Sequence, residues 1–124
     1  MRALIVDDSS AMRAFLRLAL KGAGFITAEA RNGKEGLRSL ERDCPDLVLL
    51  DWNMPEMDGF SMLRAMRADK RWKDVKVMMV TTETEMAEMA RALDAGADEY
   101  VMKPFTREII LEKLEILGMM PQML

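Results

Sequence analysis

The feature that most constrains this chain is a repeated change of hydrophobic period. Residues 3–6, Ala-Leu-Ile-Val, form an uninterrupted apolar run rich in strand formers, the pattern of a strand covered on both faces. Over 10–23 the period lengthens. Met12, Phe15, Leu16, Ala19, Leu20 and Ala23 recur at helical spacing, with Arg13, Arg17 and Lys21 on the other side. Gly22 and Gly24 then supply a helix stop.

The alternation continues to the end of the chain. Strands are predicted over 25–29, 47–50, 75–80 and 98–102. Helices are predicted over 34–42, with Leu37 and Leu40 inward, and over 58–69, with Phe60, Leu63 and Met66 on one face. A further helix covers 83–95, where Thr82 can cap and Glu85 holds the capping-box position. The last runs over 106–117 and stops at Gly118. Five strands alternating with five helices through short connections imply α/β architecture, a parallel sheet with helices on both faces. With 124 residues the chain is expected to be one domain, 1–124. Trp72, in a charged stretch, is expected to be partly exposed.

Composition removes whole classes of chemistry. The chain has no histidine, which excludes Ser-His-Asp catalysis and histidine-metal sites within it. Cys44 is the only cysteine, so no internal disulfide forms. A net charge of −3 gives no electrostatic reason to expect nucleic-acid binding. The chain lacks a membrane-length apolar run and a signal-peptide pattern, so no membrane association and a cytoplasmic location are expected.

In an open parallel sheet, ligands bind at the carboxyl ends of the strands. Here those ends carry Asp7 and Asp8 after strand one, Asp51 after strand three, Thr81 and Thr82 after strand four, and Lys103-Pro104 after strand five. Taken singly, each has an ordinary reading. Asp7 or Asp8 can cap the first helix, as can Ser9 or Ser10; Asp51 can be a turn former, and Lys103 a solvated lysine. Together they need another account. Carboxylates about 5 Å apart repel by roughly 3 kcal/mol per pair at an effective dielectric near 20. Either some protonate or a cation sits among them. Hard oxygen donors without His or Cys point to Mg²⁺, with Mn²⁺ as an alternative. Such a site suits phosphoryl transfer: Asp51 as nucleophile, Lys103 as a point charge, Thr81 as a hydroxyl donor.

Val6-Asp7-Asp8, the run from Asp51-Trp52-Asn53-Met54-Pro55 through Asp58-Gly59, Val80-Thr81, and Lys103-Pro104-Phe105, in that order and spacing, resemble the receiver domains of two-component response regulators. Tyr100 and Thr106 add a likeness to the chemotaxis regulators among them. The resemblance implies a flavodoxin-like doubly wound domain with strand order 2-1-3-4-5. It implies that Asp51 accepts a phosphoryl group from a histidine kinase. Asp8, Asp51 and the backbone carbonyl of Asn53 would ligate Mg²⁺, with Asp7 acting through water. Thr81, Tyr100 and Lys103 would form the phosphate-binding switch, and Asn53 and Glu83 would tune phosphoryl lifetime. The Lys103–Pro104 peptide bond is expected to be cis.

The resemblance also places an output face on the fourth helix, fifth strand and fifth helix, where Met86, Met89, Leu93 and Tyr100 stand. The helical spacing of Met86, Met89 and Leu93 reads equally well as a core face. An output protein or phosphatase is the expected partner, and the chain is expected to be a monomer or a weak phosphorylation-dependent dimer. On this reading the protein is a signalling switch, not an enzyme acting on a separate substrate. Three alternatives stand beside it: a phosphorelay intermediate or phosphate sink, a receiver fragment of a longer regulator, and an aspartyl-nucleophile hydrolase. The last requires Asp-x-Asp at the nucleophile loop, where this chain has Asn53.

Overall fold

In a computed structural model, which describes residues 1–82 and 86–120, five parallel strands form one sheet in the order β2-β1-β3-β4-β5. The elements are β1 (Arg2–Val6), α1 (Ser10–Gly22), β2 (Ile26–Ala30), α2 (Gly33–Arg42), β3 (Leu47–Leu50), α3 (Gly59–Arg67), a 3₁₀ turn (Lys70–Trp72), β4 (Lys76–Thr81), α4 (Met86–Asp94), β5 (Glu99–Met102) and α5 (Arg107–Ile116). This is the fold class expected from the alternation of periods.

The apolar runs divide by the two-residue period of a strand. Leu4 and Val6, Val48 and Leu50, and Val77 and Met79 face one core, with Leu40, Met62, Leu63, Met66 and Ala92 from α2, α3 and α4. Ala3 and Ile5, Leu47 and Leu49, and Met78 and Val80 face the other, with Leu16, Leu20, Ile110 and Leu114 from α1 and α5. The three central strands are therefore buried on both sides, while edge strand β2 is largely exposed.

Local chemistry sets the helix starts. Side-chain oxygens of Ser9, Asn32, Asp58 and Thr106 accept the N–H groups of Met12, Glu35, Ser61 and Ile109, capping α1, α2, α3 and α5. Gly118, with φ 72°, follows the end of α5.

Several expectations shift. β2 and β4 each sit one residue later, which takes Thr81 into β4. The proposed capping box on α4 involves Glu85, outside the described residues, as is Glu83. Trp72 is buried rather than partly exposed. Its indole enters the α2–α4 core, while Arg71 lies 4.6 Å above the ring and takes up the charge of Asp69 and Glu41. Phe15 remains 40% exposed, resting edge-on against Phe105.

Candidate functional site

Parallel strands bring their carboxyl ends to one edge, and here the ladder extends past the strands. Asp7 N–H donates to the carbonyl of Ala30, Asp51 N–H to that of Val6, and Lys103 N–H to that of Thr81. The register Val6–Leu50–Met79–Tyr100 then sets the side chains that follow in one crevice. Carboxylate oxygens of Asp7, Asp8 and Asp51 lie within 4.8 Å of one another. Lys103 Nζ stands 3.0 Å from Asp7 Oδ2 and 3.6 Å from Asp51 Oδ1.

The alternative of helix capping is resolved by geometry. Ser9 caps α1, and Asp7 Oδ1 instead accepts the Ser9 N–H at 2.9 Å. Arg13 also donates to the Asp7 carbonyl at 2.7 Å, holding this turn against α1.

Asp7 and Asp51 are buried and Asp8 is exposed. Burial, then the charge of Asp7, pushes the Asp51 carboxyl up to about 6, against the opposing pull of Lys103 and of the Trp52 N–H. That N–H donates to Asp51 Oδ1 at 2.9 Å. A single lysine thus offsets part of the charge of three clustered carboxylates. The three clustered carboxylates, one of them exposed, are hard oxygen donors that could hold a metal ion.

The loop after β3 is tightly seated. Gly59 N–H donates to the Trp52 carbonyl at 2.8 Å. A Cβ at Gly59 would lie 1.9 Å from the Asp51 carbonyl oxygen, so only glycine permits this close approach. Trp52 is buried, its ring stacked on Phe60 at 5.2 Å. Thr81 is buried at the end of β4 and Asn53 is exposed two residues after Asp51. The Lys103–Pro104 peptide bond is cis.

Residues 3–115 match the response regulator receiver domain family. The chain belongs to this family. It is 45% identical over 116 residues to the chemotaxis protein CheY of Pseudomonas aeruginosa, covering 93% of this chain and 94% of that one. It is 42% identical over 118 residues to CheY1 of Helicobacter pylori, covering 94% and 95% respectively. Among solved structures, the CheX–CheY–BeF₃–Mg²⁺ complex of Borrelia burgdorferi superposes with a TM-score of 0.89 at 26% identity, covering 95% of this chain and 89% of that one. Phosphorylation by a histidine kinase is the general function of receivers, and they interact with kinases and output partners. Among the described residues of this receiver, no helix is long and apolar enough to cross a membrane.

The expected output face is divided by the fold. Met86 and Leu93 are exposed, at 80% and 48%. Met89 is half-buried against the core, and Tyr100 is buried within it. Tyr100 therefore adds no open surface here, because its ring packs in the same cluster as Met79, Ala92 and Ala97.

Two residues beside the site carry no signal of their pairing in the sequence. Asn32 and Glu56 meet across the crevice rim, Asn32 Nδ2 donating to Glu56 Oε2 at 3.2 Å. The local signal at Asn32 is that of a helix cap, which gives no sign of a partner 24 residues away.

Proposed function

We propose that this receiver is a chemotaxis-type response regulator in which Asp51 is the phosphoryl acceptor. The observation that carries the reading is the Asp7–Asp8–Asp51 cluster faced by Lys103, on a chain whose relatives are named for chemotaxis. Asp8, Asp51 and the Asn53 backbone carbonyl would hold Mg²⁺, with Asp7 acting through water. The cation, when bound, offsets negative charge on the carboxylates and the entering phosphoryl group.

A carboxylate oxygen of Asp51 attacks the phosphorus of a kinase phosphohistidine. The new P–O bond forms as the P–N bond breaks, and its electron pair leaves on the imidazole nitrogen. Lys103 Nζ, already 3.6 Å from Asp51 Oδ1, places positive charge where the phosphoryl oxygens arrive. Buried Thr81 supplies a hydroxyl to another of those oxygens.

Drawing Thr81 toward the phosphoryl group shifts the packing around Tyr100. The surface of α4, β5 and α5 then changes, with Met86 and Leu93 as its exposed apolar contacts. A shift from 1:99 to 99:1 requires about 5.5 kcal/mol of differential interaction. Asn53 and Glu83 tune phosphoryl lifetime by controlling access of the attacking water.

Intact mass in acetyl phosphate tests the acceptor. One phosphoryl group is expected on wild type with Mg²⁺, and none with chelator or in Asp51→Asn. No adduct under any condition would overturn the reading.

A further inference from the structure

Asp8 and Asp51 stand on two separate segments, the β1–α1 turn and the β3–α3 loop. Something must hold these segments at a fixed spacing for their carboxylates to serve one ion. The corner between β2 and α2 touches both. At one end, the Ala30 carbonyl accepts the Asp7 N–H at 3.1 Å. At the other, Gly33 N–H donates to the Met57 carbonyl at 3.0 Å. The approach is close, since a Cβ at Gly33 would lie 2.7 Å from Met57 Cγ and 2.9 Å from the Met57 carbonyl oxygen.

Asn32 sits at the middle of this corner and is 8% exposed. Its two amide atoms do different work. Oδ1 accepts the Glu35 N–H at 2.9 Å and caps α2. Nδ2 donates to Glu56 Oε2, which capping does not require. Glu56 in turn has φ 66°, the left-handed conformation that a residue with a side chain adopts at a cost. Such a conformation persists where neighbours over-determine it. Asp8, Asn32 and Glu56 line a common cavity at the rim of the site.

We propose that Asn32 is a positioning residue for the divalent-cation site: by holding Glu56 through Nδ2, it fixes the β3–α3 loop against the turn that carries Asp8. The inference rests on the reading of Asp8 and Asp51 as cation ligands. Its physical content is pre-organisation. A loop already held in place need not be ordered when the ion binds, and loss of such a supporting contact lowers metal affinity.

Mg²⁺ itself is the probe, titrated against the emission of Trp52, which adjoins Asp51. Trp72 lies before β4, at the opposite end of the sheet. Asn32→Ser keeps a capping oxygen and loses the amide donor. Glu56→Gln keeps an acceptor for Asn32 and loses the charge, whereas Glu56→Ala loses both. Asn32→Ser and Glu56→Ala are each expected to raise the Mg²⁺ dissociation constant about tenfold. Glu56→Gln is expected to match wild type, and the double variant Asn32→Ser/Glu56→Ala to be no weaker than Glu56→Ala.

Unchanged affinity in Asn32→Ser overturns the proposal. So does an equal loss in Glu56→Gln, which would assign the effect to charge, or additive losses in the double variant. A wild type with no saturable Mg²⁺ response, by emission or calorimetry, overturns the cation-site reading itself, and the proposal with it.

Discussion

The guanidinium carbon of Arg91 lies 4.6 Å from the ring centroid of Phe60. The same ring stacks on Trp52, with 13° between the planes. A continuous stack thus runs from the residue after Asp51 to a cation on α4. It joins the β3–α3 loop to the helix carrying Met86 and Leu93.

Arg91→Ala is expected to lower stability by about 0.5–1 kcal/mol, the size of an exposed cation–π contact. The exposed Glu88–Arg91 pair at 3.2 Å contributes little more. Urea unfolding followed by tryptophan emission measures the loss; no change would mean that the stack does not hold α4.

Lys103 is the cation that pairs with buried Asp7. Lys103→Met removes that carboxylate's cation, leaving it the Ser9 N–H, and is expected to cost about 3 kcal/mol in chelator. Denaturant unfolding is the measurement, and a loss under about 1 kcal/mol would show that solvent reaches Asp7.

The Asp51 carboxyl titrates near 6, above the ordinary 3.8. Between these values the unfolded chain is ionised and the folded chain keeps its proton, so this group lowers stability as pH rises toward 6. Its cost is fully present above that pH. Asp51→Asn is therefore expected to stabilise the metal-free protein by roughly 1 kcal/mol at pH 8, allowing for solvent screening. The gain should vanish by about pH 4. A pH-independent gain in denaturant unfolding would contradict the assignment.

Met86 and Met89 share a helical stripe but not an environment. Met89→Lys buries a charge against the core and is expected to cost roughly 1–3 kcal/mol. Met86→Lys, at an 80% exposed position, is expected to stay within about 0.5 kcal/mol of wild type. Thermal unfolding of the two variants, side by side, checks the division. Equal losses would mean that α4 packs differently.

Features that depend on neighbours along the chain are legible before any fold is known. Uninterrupted runs such as Leu47–Leu50, set between helical patterns, suit a strand buried on both faces, and that strand has the predicted bounds. The order of Asp7, Asp51, Thr81 and Lys103 at successive strand ends also follows from the chain, because parallel strands deliver their carboxyl ends to one edge. Tertiary structure decided whatever depends on which surfaces meet. It chose between core and surface for Met86 and Met89, whose spacing is identical on either reading. It drew Trp72 inside, because its indole finds apolar neighbours from elements distant in the chain, while Arg71 beside it pairs with Asp69 and Glu41 at the surface. It set the Asp51 carboxyl near 6, since desolvation exists only once the strands enclose it. It also paired Asn32 with Glu56, because hydrogen bonding between residues distant in sequence leaves no period for the chain to display.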